Sequence, residues 1–213
     1  MQALYSDQHR DLHDGYGLKY ETAALHPHLV FGFWPWRGAG AHFDLMGALR
    51  NAGGVGVLLR DRDGGEVRVG RDGEPVVRYG LSEFDLGHMR VGVDGAAQIL
   101  EAAGAWRIFS SQSKWVSYDP GVNDDRARFM ADADACGWGA GQTHMGSFHI
   151  MGSARMGGSP NTSACTPGGE TWDVRRLYVC DASAFPTASG VNPMISIESI
   201  AHMNARGIAA ALS

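Results

Sequence analysis

The chain has 213 residues, of which 44% are hydrophobic and 19% charged, and its formal net charge is −5. These values are typical of a globular protein with an ample core, and an acidic chain without a basic cluster excludes nucleic acid as an expected partner. A basic-then-apolar leader and an apolar run of about 18 residues are both missing, so we expect a soluble protein, cytoplasmic or membrane-peripheral.

The first predicted elements are a strand over residues 16–26, where the pattern partly alternates, and a turn over residues 26–28, since a residue before proline disfavours helix. A short helix is expected over residues 41–51, where Gly53 and Gly54 end it. Residues 55–60 and 65–70 are predicted to be strands joined by a hairpin at residues 62–65, and residues 73–79 to extend the same antiparallel sheet.

Ser82 with Asp85 forms a capping pattern, which predicts a helix from there to about Ala103. A strand over residues 106–110 and a helix over residues 123–136 follow. Residues 1–138 are therefore expected to form an α+β unit, an antiparallel sheet with flanking helices. The remainder is dominated by glycine loops, with one strand expected over residues 177–181 and a final helix over about 192–212.

The cysteines and histidines offer no metal site. Cys136, Cys165 and Cys180 lack CxxC spacing, so we expect reduced thiols, with Cys180 buried within a strand. His144 and His149 lack a third ligand at suitable spacing, and no metal is predicted.

His149 lies on a loop rich in glycine and serine, between Gly146 and Gly152. Glycine lets a backbone approach a flat ligand closely, and an imidazole there can accept a proton from a substrate hydroxyl. A structural role is the alternative for a single histidine.

Asn192 and Pro193 are typical of a helix start, with Asn192 as the N-cap and Pro193 in the first turn. The same geometry offers backbone N–H groups and a partial positive charge to a ligand. Asp181 is expected to form a turn with Ser183 at the end of its strand.

Three segments, residues 147–157, 177–187 and 190–197, together resemble the C-terminal signature of the glucose-methanol-choline (GMC) flavoprotein oxidoreductases, nearest the long-chain fatty alcohol oxidase branch. This resemblance implies an antiparallel-sheet substrate-binding (cap) domain over residues 1–138. It implies that residues 139–213 are the C-terminal segment of the FAD-binding domain, contributing the last strand and helix to a discontinuous α/β fold.

The resemblance also implies roles for individual residues. His149 and Asn192 would be catalytic, His149 as the base or orienting group for the alcohol and Asn192 as a partner of its oxygen. The cofactor FAD would contact five residues: Gly152, Asp181, Ala182, Pro193 and Met194. Arg155, in the same signature, is either a structural clamp or a cofactor contact.

The family's dinucleotide-binding G-x-G-x-x-G is not recognisable, because neither residues 38–43 nor residues 51–57 combine the glycines with a strand before and a helix after. We therefore expect an N-terminal FAD-binding half, on the same or a separate chain, as a partner.

The expected reaction of the complete enzyme is oxidation of a primary or secondary alcohol to an aldehyde or ketone, with O2 or another carrier as electron acceptor. A hydrophobic alcohol is favoured by the branch and by five apolar or aromatic side chains: Leu29, Phe31, Phe33, Trp34 and Trp36. The alternative is a non-catalytic fragment or a partner-dependent subunit that cannot bind FAD alone.

Overall fold

A computed structural model describes residues 4–23, 25–27, 32–122 and 126–212 of the protein. It divides into two compact units, the first Met1–Asp63 with Gly80–Gly146 and the second Gly64–Tyr79 with Ser147–Ser213. The strands within the described ranges are β1 (Tyr5–Ser6), β2 (Leu18–Ala23), β3 (Gly54–Leu59), β4 (Glu66–Val69), β5 (Pro75–Arg78), β6 (Ile108–Phe109) and β7 (Ser117–Tyr118). The helices there are α1 (Ala39–Ala48), α2 (Glu83–Ala102), α3 (Arg126–Cys136) and α4 (Met194–Leu212), with 3-10 turns at Leu49–Asn51 and Ala182–Ala184.

The first unit is built on a three-stranded antiparallel sheet of order β1-β2-β3. Its register runs from Leu18 opposite Leu59 to Ala23 opposite Gly54. The predicted strands at residues 16–26 and 55–60 are thus confirmed, as is the predicted helix at residues 41–51, now α1 and its 3-10 turn. The predicted turn at residues 26–28 lies partly outside the described residues.

Helix α2 begins where the capping pattern predicts, since the Ser82 hydroxyl oxygen accepts a hydrogen bond from the Asp85 N–H at 3.3 Å. It packs against β2 and β3 through two buried glycines. A Cβ on Gly92 would lie 2.5 Å from Val57 Cγ1, and one on Gly95 would lie 2.0 Å from the Tyr20 hydroxyl. These glycines are therefore required for close packing of helix on sheet.

Two apolar clusters form the core of the first unit. One joins Leu18, Tyr20 and Ala96, between the sheet and α2. The other is formed by side chains of α2, the β6-β7 pair, the residues beside it and α3: Ala97, Ile108, Val116, Tyr118, Phe129, Met130 and Ala133. The strand predicted at 106–110 and the helix predicted at 123–136 are both present, although residues 123–125 lie outside the described residues.

The second unit contains a two-stranded antiparallel hairpin, β4-β5, with Val67 opposite Val77 and Val69 opposite Pro75. The predicted hairpin at residues 62–65 is wrong. Residues 54–59 pair with β2 instead, and the tight turn lies at residues 70–74, where Gly73 has a φ of 85°. The Gly70 N–H closes this turn by donating to the Glu74 carbonyl at 2.7 Å.

Residues 177–181 are not a strand, so this prediction is also wrong. The segment makes a single bridge, Glu170 opposite Tyr178, beside Arg176 with a positive φ of 64°. Cys180 is accordingly only half-buried, whereas Cys165 is fully buried. This segment therefore lacks the regular hydrogen-bonding pattern of a strand. It has instead one residue in the left-handed backbone conformation and a few short hydrogen bonds between the two loop segments.

The fold class is confirmed as α+β, helices with small antiparallel sheets, and the final helix lies where residues 192–212 predict it. None of the described helices combines the length and apolar character needed to cross a bilayer. The domain boundary after residue 138 stays a prediction.

Candidate functional site

Gly152 and Ala182, two of the predicted cofactor residues, are brought together by backbone hydrogen bonds. The Gly152 N–H donates to the Ala182 carbonyl at 3.1 Å. Further along the two segments, the Ala154 N–H donates to the Ser183 carbonyl at 2.9 Å, and the Met156 N–H donates to the Ala184 carbonyl at 2.8 Å. The loop that follows His149 is thereby fastened to the 3-10 turn Ala182–Ala184.

Glycine is required at position 152 for two reasons. Its φ is 80°, in the left-handed region, and a Cβ would approach the Phe185 carbonyl oxygen to 3.3 Å. A side chain would strain the backbone and crowd the turn. Gly152 therefore allows the loop to lie close to the turn, which a residue with a side chain would not.

Asp181 caps the 3-10 turn with its carboxylate. It accepts hydrogen bonds from the Ser183 N–H at 2.8 Å and from the Ser183 hydroxyl. These two bonds hold the pKa of Asp181 below its ordinary value. The turn with Ser183 is therefore present. The carboxylate is exposed and ionised, and its remaining lone pairs can accept from a ligand hydroxyl.

Helix α4 begins at Met194, and the Pro193 carbonyl accepts a hydrogen bond from the Ile197 N–H at 2.8 Å. Pro193 is thus at the cap position, one residue later than predicted, within the usual uncertainty of helix ends. Pro193 is buried, whereas Asn192 and Met194 are exposed. The N–H groups of the first turn lack intrahelical acceptors, and that turn carries no acid, so it presents partial positive charge.

His149 is exposed, and so are its neighbours Phe148 and Ile150, each at 76% of its full accessible surface. Such large exposed apolar side chains are typical of a surface that meets a ligand or another protein segment. The placement of His149 relative to Asn192 stays a prediction.

Arg155 is engaged with its own loop. Its Nε donates to the Thr162 carbonyl at 3.2 Å, and its carbonyl accepts from the Ala164 N–H at 2.9 Å. These contacts are those of a structural clamp, and the cofactor contact of Arg155 stays a prediction.

Two side chains of the second unit, Asn204 and Cys165, are buried although the sequence did not predict their burial. Asn204 on α4 is 2% exposed, and its amide donates to the Val179 carbonyl at 3.0 Å, just before Asp181. Cys165 is fully buried, its thiol contacts the Ala154 carbonyl at 3.4 Å, and burial raises its pKa. An asparagine inside an apolar helix was the available signal for Asn204; nothing in the local pattern distinguished Cys165 from Cys180.

The first unit carries a surface pocket of about 100 Å³, here called the aromatic pocket. Its lining consists of Trp34, Pro35, Trp36, Arg37, Ala41, His42, Leu45 and Trp115. Trp34 packs on Phe109 with ring centroids 5.2 Å apart, and Phe109 packs on Trp115 at 4.8 Å. Two of the aromatic side chains that the sequence linked to a hydrophobic ligand therefore line a pocket, while Leu29 and Phe31 lie outside the described residues.

No group of three or more potential metal ligands occurs among the described residues. The two histidines near the N-terminus form hydrogen bonds with different partners. His9 Nδ1 lies 2.7 Å from the Tyr20 hydroxyl, and His13 Nδ1 lies 2.9 Å from His88 Nε2.

Groups of the C-terminal segment would suit the flavin ring of FAD. The backbone at Gly152, which carries no side chain, would let a flat ring approach, and the first-turn N–H groups of α4 would suit the negative charge of a reduced flavin. Val191, Met194 and Ile195 are 46%, 64% and 67% exposed and offer apolar contact. The glycine-rich loop that would hold the diphosphate is not recognisable in the sequence.

The sequence model of the GMC oxidoreductase family matches residues 61–201. The long-chain-alcohol oxidase FAO4A of Arabidopsis thaliana is 34% identical over 205 residues, which are 95% of this chain and 28% of that protein. The Arabidopsis long-chain-alcohol oxidase FAO1 is 31% identical over 195 residues, 89% of this chain and 25% of that protein. The crystal structure of pyridoxine 4-oxidase from Mesorbium loti has a similar fold, with a TM-score of 0.54, 17% identity, and coverage of 90% of this chain and 34% of that one.

Proposed function

The chain belongs to the GMC oxidoreductase family, and we propose that it forms part of an FAD-dependent enzyme that oxidises a hydrophobic primary or secondary alcohol to an aldehyde or ketone. Members of this family are generally FAD-dependent. The observation that carries the proposal is the family match, which spans the segment containing His149, Asp181 and Asn192.

We propose that His149 accepts the proton of the reacting hydroxyl. Its imidazole nitrogen would accept that proton as the C–H bond of the alcohol breaks, while the Asn192 amide would orient the alcohol oxygen. FAD, when bound, supplies the acceptor for the hydride that leaves the alcohol carbon. The first-turn N–H groups of α4 would then stabilise the added negative charge.

The cofactor contacts are assigned to the segments that the backbone hydrogen bonds hold. Gly152 and Ala182 would face the flavin with backbone atoms, and the Asp181 carboxylate would accept from a hydroxyl of the ribityl chain. Pro193 would fix the start of α4, and Met194, 64% exposed, would cover the ring with its apolar side chain.

A hydrophobic alcohol is the substrate class supported by the names of two relatives, both long-chain-alcohol oxidases. The exposed apolar side chains beside His149 agree with this class, since they would bury an alkyl chain. Dioxygen or another carrier would reoxidise the enzyme.

The site would be completed by a nucleotide-binding half, on the same or a separate chain. The chain spans about a quarter of the length of the two long-chain-alcohol oxidases it matches. The β4-β5 hairpin supports a partner, because Val67, Val69 and Val77 are 50%, 81% and 67% exposed. The same observation favours the second candidate, a subunit that binds FAD only with its partner.

Replacement of His149 tests the proposed chemistry in the complete, flavin-loaded enzyme. His149→Ala should lower kcat for an alcohol such as decan-1-ol by about 10²- to 10⁴-fold, the usual contribution of a general base. Flavin content should stay unchanged. The matched control is His202→Ala on the exposed face of α4, which should keep full activity. Undiminished kcat in His149→Ala would exclude the assigned role.

A further inference from the structure

The aromatic pocket of the first unit contains a cation that lacks a counter-ion among the described residues. The Arg37 guanidinium lies over the Trp115 ring, 4.9 Å from its centroid. Three other arginines of this unit, by contrast, form ion pairs with acidic side chains. Arg90 pairs with Asp134, Arg107 with Asp119, and Arg126 with Asp94 and Glu101.

A guanidinium that lies over an indole ring keeps its N–H groups available at its own edges. These donors form a planar fork that matches the two oxygens of a carboxylate. Contact with the ring also restricts the side chain before a ligand arrives, so less conformational entropy is lost on binding. Arg37 is therefore placed to receive an anion at the pocket.

The other polar features of the pocket point in the same direction. Ala41 and His42 line it from the start of α1, where Gly38 is the N-cap and no side chain caps the helix. The first turn of α1 contains no acidic residue. A helix N-terminus adds partial positive charge on the same lining, and none of the lining residues is acidic.

The remaining lining is apolar and aromatic, from Trp34, Pro35, Trp36, Leu45 and Trp115. A pocket of this kind buries an alkyl or aryl group, while a single charged residue fixes its orientation. We propose that the aromatic pocket binds an apolar carboxylate, with its hydrocarbon part against Trp34, Trp36 and Leu45 and its carboxylate on Arg37. This site goes beyond the proposed alcohol oxidation, and its occupancy requires neither flavin nor turnover.

The test compares hexanoate with hexanamide, a neutral ligand of nearly equal size, by titration of tryptophan fluorescence in the full chain. Hexanoate should bind about tenfold more tightly, the effect expected of one charge-assisted contact. Arg37→Gln should remove this preference and leave hexanamide binding unchanged. Trp36→Ala, at a side chain 69% exposed and thus tolerant of change, should weaken both ligands several-fold.

Arg71→Gln is the matched control, since Arg71 is an exposed arginine of the second unit, and it should keep the preference for hexanoate. Equal affinities in the unaltered protein would overturn the proposal. So would a preference that survives Arg37→Gln, or fluorescence that shows no saturable binding of hexanoate.

Discussion

Ser183 lowers the pKa of the Asp181 carboxyl, because its N–H and its hydroxyl both donate hydrogen bonds to that group. Ser183→Ala removes one donor, so the pKa of Asp181 should rise toward its ordinary value of 3.8. The stabilisation that these bonds provide is present above 3.8 and is lost as the pH falls through the lower pKa of the folded protein. Carboxyl NMR titration measures the shift, and an unchanged Asp181 pKa would contradict the assignment.

Ser189→Ala serves as the control for this titration. The Ser189 hydroxyl donates to the Val191 carbonyl, two residues along the chain, so its removal should leave the pKa of Asp181 unaltered.

For single residues, the sequence could predict a contact where the two partners are close neighbours along the chain. The turn of Asp181 with Ser183 is such a case, and so is the Ser82 cap with Asp85. Asn204 is different, because its partner, the Val179 carbonyl, is 25 residues away, and only the fold brings the two together. Long-range partners of this kind cannot be derived from local spacing.

At the scale of elements, α2 depends on glycine where it meets the sheet. Gly95→Ala would place a Cβ 2.0 Å from the Tyr20 hydroxyl, which is held by His9 at 2.7 Å and belongs to a buried ring. Overpacking of this kind should destabilise the protein by about 2 kcal/mol. Urea unfolding measures the change, and a variant as stable as the original protein would show that the helix can shift freely.

Gly87→Ala is the matched control on the same helix. Nothing lies within 4 Å of the added Cβ, and the residue is exposed. Alanine has the higher helix propensity, so this variant should gain up to about 1 kcal/mol.

Helices were easier to predict than strand pairing in this protein. The starts of α2 and α4 follow from a serine cap and an Asn-Pro sequence, both local signals. The partner of residues 54–59 is β2, more than 30 residues earlier, whereas the glycines at residues 64–65 suggested a closer hairpin. The failed strand at residues 177–181 has the same origin, since an apolar run does not reveal whether a neighbouring strand is available.

At the scale of the whole molecule, His88 makes the stability of the folded protein depend on pH. It is 3% exposed on α2, stacks on His13 with centroids 5.1 Å apart, and contacts Phe84 at 4.4 Å. Burial, and then the neighbouring His13 and Arg62, lower its pKa, while Asp85 opposes the shift. His88 is therefore neutral in the folded protein at pH values where the unfolded chain already binds a proton.

Stability should consequently fall as the pH drops below the ordinary histidine value of 6.5 toward the lower pKa of folded His88. His88→Gln should reduce stability at pH 7 but also flatten this dependence between about pH 7 and pH 5, measured by urea unfolding. His202→Gln, at an exposed histidine of α4, should leave the slope intact. A slope that persists in His88→Gln would assign the effect to another group.

The proposed alcohol oxidation can be followed by the colour of the flavin in the assembled protein. An anaerobic absorbance spectrum of this chain, co-purified with a nucleotide-binding half of the family, is recorded before and after addition of decan-1-ol. We predict a yellow flavin spectrum that bleaches with the alcohol and does not bleach with decane, because a C–OH donor is required. A bound flavin that stays oxidised with every hydrophobic alcohol tested, or a complex that binds no flavin, would contradict the proposed function.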